Sequence, residues 1–275
     1  MKPSSIPLAA ILLILFAAAA QYPATSDSEL HLGVEAYKNS HCDEAIQHFE
    51  KAVDLDGSNL KARLYLATAY VSQYIPGVTS PDNIQLAEKA IVQYQHVLDS
   101  DAERDSKINS TKGIAYLYLN MKKFDDSKKY YEMASDLDPK DPEPHYSIGV
   151  IDWTATYQPR MEARAKLDMK PEEHLDPANQ DQKKVCDELS IKNRPVIEEG
   201  IDSLNKAIEL RPDYDDAMAY MNLMYREKAD LECDNLTARE EDLKTADHWV
   251  DKALAVKKSK AEKQAPLGQH SNRQQ

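Results

Sequence analysis

Residues 108–141 read INSTKGIAYLYLNMKKFDDSKKYYEMASDLDPKD, and the spacing within them decides the fold. The small Ser127 is followed after three positions by the large Tyr131, and after two more by the small Ala134. Pro139 comes five residues later, where a helix must end because proline lacks an amide donor and clashes with the preceding turn. The spacing therefore predicts a helix that packs closely against another helix.

The same small, large, small spacing occurs five times along the chain. The other four copies are Ala45, Phe49 and Ala52; Ala90, Tyr94 and Val97; Gly200, Leu204 and Ala207; and Ala246, Val250 and Ala253. Repetition of one helix-packing unit indicates a solenoid, in which each unit buries its apolar face against the next.

This spacing resembles the tetratricopeptide repeat (TPR), a helix-turn-helix unit of about 34 residues with Leu-Gly and Tyr in its first helix and Ala, Phe and Pro in its second. Residues 26–59 carry Leu32-Gly33 ahead of Ala45 and Phe49, and residues 108–141 match every signature position by residue type. The resemblance implies an all-α superhelix, a TPR solenoid of about five helix pairs over residues 26–258. The implied repeats are 26–59, 60–102, 108–141, 142–213 and 215–258.

Repeats 2, 4 and 5 are longer than the others because their two helices are further apart in sequence. In repeat 2, Ser80 is predicted to cap the second helix, with Pro81 at its first position. In repeat 5, Thr237 and Glu240 predict a capping box at the second helix.

Repeat 4 contains roughly forty extra residues before its second helix. Within the insertion at 159–192, we expect two short helices at 160–167 and 181–191, broken at Pro171 and Pro177. Residues 259–275 are polar and lack periodicity, which predicts a disordered tail.

Residues 1–20 differ in character from the rest of the chain. Lys2 precedes an apolar stretch over residues 6–20 that ends in three alanines, as is typical of a secretory signal peptide. The stretch is shorter than the ~20 residues of a membrane-spanning helix, so an uncleaved anchor is the alternative. We expect a periplasmic or secreted protein. No cysteine stands at the cleavage point, so no lipid anchor is expected.

The chain has three cysteines, and an exported protein meets an oxidising environment in which disulfides persist. Cys186 and Cys233 lie in the insertions of consecutive repeats, and such connections line up along one edge of a solenoid. This pair is a possible disulfide, with two free thiols as the alternative. Cys42 is left without a partner.

Charge and motifs argue against several classes of function. The formal net charge is -13, whereas nucleic-acid binding needs clustered Lys and Arg. The histidines lack metal-ligand spacing, and neither a phosphate-binding glycine loop nor a nucleophile elbow occurs. We therefore expect no catalytic residue, no metal, no cofactor and no nucleic-acid partner.

Binding is the function that the resemblance implies. In proteins with this repeat, the first helices line a concave groove, and positions beside the Leu-Gly pair contact the ligand. Apolar and aromatic residues, which dominate binding energy at interfaces, hold most of these positions here. They are Leu30, Val34, Tyr37, Leu64, Tyr116, Leu119, Tyr146, Val150, Trp153 and Leu223. The expected partner is a protein or peptide with apolar anchors, and packing against neighbouring helices is the alternative for each residue.

One branch of the family holds a peptide carboxylate with Lys, Asn and Arg from successive first helices. Lys61, Asn109 and Lys112 stand at such positions, but the other expected places hold Val34, Thr68 and Val150. The carboxylate clamp is therefore not expected.

Asp152 takes the helix position at which other repeats place a tyrosine. Because a buried charge is costly unless it is paired, we expect Arg160 or Arg164 to form an ion pair with it. Direct contact with a ligand is the alternative.

Together these features indicate an exported, non-catalytic scaffold that resembles uncharacterised envelope proteins of the same repeat class. One alternative is an assembly factor for outer-membrane or pilus machinery. Another is a regulatory or recognition subunit of an enzyme, docked through the repeat 4 insertion.

Overall fold

The computed structural model describes residues 24–171 and 173–264, so the predicted signal peptide lies outside it. Within these two ranges the chain forms ten α-helices and no β-strand, which confirms the all-α prediction. The helices are α1 Ser26–Lys38, α2 Cys42–Leu55, α3 Leu60–Gln73, α4 Pro81–Leu98, α5 Arg104–Asn120, α6 Phe124–Leu137, α7 Pro142–Lys166, α8 Gln180–Leu210, α9 Asp215–Ala229 and α10 Leu236–Gln264.

The helices pair in sequence order. Each odd-numbered helix packs against the even-numbered helix that follows it, and each pair packs on the next pair. In addition, α1 contacts α3, α3 contacts α5 and α7 contacts α9, so the odd-numbered helices form the inner layer of a solenoid. The third pair begins at Arg104, one helical turn before the predicted start at 108.

Polar side chains cap several helix starts. The predicted cap at Ser80 is confirmed, since its Oγ accepts a hydrogen bond from the Asn83 amide with Pro81 at the first helical position. The predicted capping box at Thr237 and Glu240 is wrong. There, α10 begins at Leu236, and Asn235 Oδ1 accepts from the Ala238 amide at 3.1 Å.

Close approach of two helices explains the small residues of the repeat. A Cβ at Gly33 would lie 2.5 Å from the Phe49 ring, and one at Gly149 would lie 2.4 Å from Leu204. In the third pair, Ser127 Oγ donates to the Ala115 carbonyl at 2.8 Å, and both residues are fully buried. Any larger side chain at these points would force the two helices of a pair apart.

The repeat 4 insertion does not fold as expected. Instead of two short helices, α7 continues through Pro159 to Lys166, and α8 starts at Gln180 and continues through Pro195. A proline removes one helical hydrogen bond, but packing against neighbouring helices offsets that loss here. The insertion therefore lengthens both helices of the pair and leaves only residues 167–179 as a connection.

The tail predicted to be disordered from residue 259 starts as part of a helix. Residues 259–264 continue α10, and Lys260 Nζ lies 2.6 Å from Asp215 Oδ1 at the start of α9. This ion pair ties the end of the last helix to its partner. Residues 265–275 lie outside the described ranges.

Candidate functional site

The ten predicted groove residues all lie on odd-numbered helices. Leu30 is buried and belongs to the core, whereas Tyr116 is 40% exposed at the middle of the solenoid. The other eight are half-buried: Val34, Tyr37, Leu64, Leu119, Tyr146, Val150, Trp153 and Leu223. A half-buried side chain packs on its neighbours and still offers surface to a ligand, so all but Leu30 are available for contact.

The N-terminal part of the inner layer contains a small apolar cavity of about 230 Å³. Its lining residues are Tyr37, Lys61, Leu64, Tyr65 and Thr68. The Tyr65 ring stacks on the core residue Phe49, with 5.5 Å between centroids, so this wall is held in place. The cavity is smaller than the roughly 300–1,000 Å³ of small-molecule sites and suits a single apolar side chain of a partner.

Lys112 is the central cation of the inner layer, and it is already paired. Its Nζ lies 2.5 Å from Asp141 Oδ2 and 2.7 Å from Glu143 Oε2. Burial disfavours the charge, but these hydrogen bonds outweigh burial and raise the pKa of Lys112. Because its charge is neutralised within the chain, Lys112 is a poor receptor for a ligand carboxylate, in agreement with the incomplete clamp pattern.

The C-terminal part of the inner layer is a wall of aromatic rings on α7 and α9. Tyr220 stands edge-on to both Tyr146 and Trp153, with centroids 5.7 and 5.6 Å apart. Tyr157 stacks on Trp153 at 4.9 Å, and Tyr214 lies 4.9 Å from Tyr146. Edge-to-face and stacked arrangements are the ones that aromatic pairs prefer, so the rings of the wall support one another.

Sequence reasoning missed Tyr157, Tyr220 and Tyr65 as parts of this surface. Tyr157 follows Trp153 by four residues, which places both side chains on one face of a helix, and this spacing could have identified it. Tyr220 and Tyr65 each stand one position after a groove position, and only the packing of adjacent helices brings them to the inner side.

Asp152 is buried and paired, but not with either expected arginine. Lys128 Nζ lies 2.9 Å from Asp152 Oδ1 and 2.6 Å from Glu199 Oε1. Burial raises the pKa of Asp152 to about 7, more than its bond to Lys128 lowers it. Gly200 packs directly against the Asp152 side chain, which keeps this carboxylate in the core and away from the groove.

Arg160 and Arg164 instead contact the following repeat. Arg160 donates to both carboxylate oxygens of Glu227 at 2.7 Å and to Asp230 Oδ2 at 2.8 Å. Arg164 Nη2 lies 3.1 Å from the same Asp230 oxygen. The expected pair with Asp152 is wrong because the lengthened α7 carries both arginines past Asp152 to the end of α9.

Cys186 and Cys233 form a disulfide, with 5.9 Å between their Cα atoms. It joins α8 to the connection between α9 and α10, beside the buried ion pairs. Cys42 is a free, half-buried thiol in α2.

The described ranges contain neither a cluster of metal-ligating side chains nor a membrane-spanning helix. No group of three or more His, Cys, Asp or Glu side chains in them could hold a metal ion. Likewise, none of the ten helices has the length and apolar character needed to cross a membrane.

Comparison with protein families and curated proteins points to one repeat. A family model described as tetratricopeptide repeat matches residues 113–141. The peroxisomal targeting signal receptor of Saccharomyces cerevisiae is 24% identical over 202 residues, 72% of this chain and 31% of that protein. The STIP1 homolog of Dictyostelium discoideum is 31% identical over 109 residues, 40% of this chain and 18% of that protein. This chain thus spans less than a third of either relative.

Solved structures with this fold cover most of the chain. A crystal structure of MamA protein superimposes with a TM-score of 0.56 at 16% identity, covering 88% of this chain and 97% of that one. MamA of Desulfovibrio magneticus gives 0.54 at 13% identity, covering 85% and 96%. YrrB, described as a TPR protein with an unusual peptide-binding site, gives 0.50 at 14% identity, covering 85% and 92%. At these identities the likeness establishes the fold alone.

Proposed function

We propose that this chain, a tetratricopeptide-repeat protein, is a non-catalytic scaffold that binds a protein or peptide segment along its inner layer. The observation that carries the proposal is the set of apolar and aromatic side chains on the odd-numbered helices, among which the central cation, Lys112, is already neutralised. The small cavity beside Leu64 holds one apolar anchor of the partner, Tyr116 contacts its middle, and the aromatic wall at Trp153 receives a second anchor.

The names of two similar proteins support a peptide ligand. One relative is a receptor for a targeting signal, and YrrB has a peptide-binding site. In this chain Lys112 is engaged by Asp141 and Glu143, so apolar anchors, and not a terminal carboxylate, select the partner.

We further propose that the scaffold works in the cell envelope or outside the cell, as a periplasmic or secreted protein. The signal-peptide pattern of residues 1–20 supports this, and so does the Cys186–Cys233 disulfide, since disulfides persist in oxidising compartments. Retention of residues 1–20 as a membrane anchor is the alternative. Assembly of outer-membrane or pilus machinery is one role that such a scaffold could serve.

Selection from a random peptide display library tests the groove without knowledge of the natural partner. Enriched peptides are then measured against Leu64→Ala with Tyr116→Ala, which removes apolar surface from the inner layer. The matched control is Val92→Ala with Met133→Ala, because these exposed apolar side chains lie on the even-numbered helices α4 and α6. We expect binding to weaken at least about tenfold in the groove variant and to stay within about twofold in the control. Equal affinity for both variants would contradict groove binding.

A second candidate, docking of an enzyme through the lengthened fourth pair, is favoured by one observation. Ile191 on α8 is 81% exposed, the highest fraction among the large apolar side chains of the described residues. Ile191→Asp separates the two candidates. If partner binding is lost in this variant and kept in the groove variant, the partner docks on the fourth pair.

A further inference from the structure

A cluster of charged side chains lies where the fourth and fifth pairs meet, and it borders the aromatic wall, since the Arg160 guanidinium lies 5.3 Å from the centroid of the Tyr157 ring. We call it the Arg164 cluster. Its members come from α7, the 167–179 connection, α9 with the residue that follows it, and α10: Arg160, Arg164, His174, Glu227, Asp230 and Arg239. The first two segments lie in the insertion and the last two in repeat 5, far away in sequence, so contacts within the cluster hold the insertion against repeat 5.

Three of the four carboxylate oxygens in the cluster accept hydrogen bonds from Arg160. Arg160 engages both oxygens of Glu227 and Oδ2 of Asp230. Arg164 shares that Asp230 oxygen through Nη2. The nearest nitrogen of His174 is 4.0 Å from Asp230 Oδ1, too far for a hydrogen bond.

The cluster therefore contains more donors than acceptors. The Arg164 side chain is only 2% exposed, yet its Nε and Nη1 have no hydrogen-bond partner among the described residues. The same holds for both ring nitrogens of His174 and for Arg239 Nε, all of which are buried atoms. A buried donor without an acceptor loses about 1–3 kcal/mol of solvation, so the arginine nitrogens and the one N–H of a neutral His174 require something to accept from them.

The Arg164 cluster also carries more positive than negative charge. Three guanidinium groups face two carboxylates, which leaves one positive charge in excess. Burial, with Arg239 nearby, lowers the pKa of His174, so this ring is neutral at pH 7 and offers one further N–H. Asp176 is exposed, and its carboxylate accepts from the Ala178 amide.

Water alone does not resolve this arrangement well. A water molecule that accepts from an arginine must donate its own two hydrogens, and of the four carboxylate oxygens in the cluster only Asp230 Oδ1 accepts no hydrogen bond from the described residues. A monovalent anion accepts several hydrogen bonds, donates none and cancels the excess charge.

We propose that the Arg164 cluster binds one small monovalent anion of the halide type, which accepts from Arg164, with His174 and Arg239 as further donors. The bound anion holds the 167–179 connection against α9 and α10. It is a structural site and not part of the peptide-binding surface, and its tests do not depend on the proposed peptide binding.

Thermal unfolding of the full chain in sodium chloride, sodium bromide and sodium gluconate at one ionic strength is the first test. Gluconate is too large for a site of this kind. At a halide concentration ten times its dissociation constant, we expect Tm to be about 3–6 °C higher than in gluconate. Equal Tm in all three salts would overturn the proposal.

Variants distinguish this site from a general salt effect. Arg239→Gln removes one donor that is bonded to no carboxylate among the described residues, and Arg164→Gln removes the central one. The matched control is Arg194→Gln, since Arg194 is half-exposed and bonded to Glu232 and Ser190 nearby. We expect the halide response to shrink in Arg239→Gln, to vanish in Arg164→Gln and to persist in Arg194→Gln. Persistence in Arg164→Gln would overturn the proposal.

A crystal of the chain grown in bromide locates a bound anion by its anomalous scattering, which is a measurement that does not depend on stability. We expect an anomalous peak within about 3.5 Å of an Arg164 side-chain nitrogen. A map with a carboxylate or only water beside Arg164, and no anomalous peak, would refute the anion site.

Discussion

The first three helix pairs and the last two share one repeat but are held together by different interactions. In the first three pairs, helices of 13 to 18 residues pack through small residues against large apolar ones, with Phe49 fully buried at the centre of the first pair. In the last two, α7, α8 and α10 run for 25 to 31 residues, and buried arginines, carboxylates and a disulfide join them.

This contrast shows that a lengthened repeat helix needs contacts that the repeat spacing does not supply. The small, large, small spacing supplies helix contacts over one repeat length only, as at Gly149 and Leu204. Beyond Thr156, the distal turns of α7 have no such partner motif. Arg160 and the Cys186–Cys233 bond supply the missing connections to α9 and to the segment that follows it. Longer helices thus require new cross-links, and these are ionic and covalent.

The largest effect is expected from Phe49→Ala, which opens a cavity in the first pair. Loss of a fully buried aromatic side chain costs about 3–5 kcal/mol. Because solenoid repeats contact only their neighbours, hydrogen exchange should accelerate in α1–α3 and stay nearly unchanged in α7–α10. Acceleration across all ten helices would show that the two regions unfold as one unit.

Arg160→Met probes the other region. Removing one partner of a buried ion pair leaves Glu227 uncompensated, and we expect a cost of about 3 kcal/mol, since Arg164 still faces Asp230. Exchange should accelerate in α9 and in the distal turns of α7. Arg226→Met is the control, because its pair with Asp247 is exposed and such pairs contribute less than about 1 kcal/mol.

Replacing both Cys186 and Cys233 with serine should lower stability by about 2 kcal/mol. The disulfide closes a loop of 47 residues, but the neighbouring ion pairs remain and limit the loss. Denaturant unfolding measures this effect, with Cys42→Ser as the control that should match the wild type. A double variant as stable as the wild type would mean that the ion pairs suffice to hold the distal turns.

The smallest effect is a pH dependence at the junction between the two regions. The pKa of Asp152 is about 7 in the folded chain, far above its usual value near 4. Its contribution to stability is therefore fully present below pH 4 and is lost as pH rises through 7.

Asp152→Asn removes this titration, so melting curves of the two proteins at several pH values measure it. The Tm of the variant relative to the wild type should rise by a few degrees, roughly 2–4 °C, between pH 5 and pH 8. A difference that is the same at both pH values would contradict the raised pKa. Glu199→Gln, which leaves Asp152 titratable, is the control.

The repeat was predictable from sequence because its packing is local. Gly33 and Phe49 lie sixteen residues apart in one helix pair, and the spacing predicted the close packing of two helices at which the structure brings them together. The partner of Asp152 was not predictable, since choosing Lys128 over Arg160 required knowing that α7 continues past Pro159. Proline normally predicts a break, and here tertiary contacts prevail over that local preference.

The sequence predicted which helices line the inner layer, but not all the side chains that reach it or their charge pairing. Its ten positions follow from the repeat, but Tyr220 and Tyr65 join the inner surface only through contacts between helices of different pairs. The neutralisation of Lys112 likewise depends on Asp141 and Glu143, which come from the start of the next pair. Charge pairing between repeats has no signature in the sequence of one repeat.

Hydrogen exchange of the chain with and without a library-selected peptide shows directly whether the peptide binds along the inner layer. Binding along the inner layer should slow exchange in α3, α5 and α7, around Leu64, Tyr116 and Trp153, and leave the even-numbered helices α4 and α6 unchanged. Protection confined to α8 around Ile191, or to α4 and α6, would contradict the groove as the binding surface.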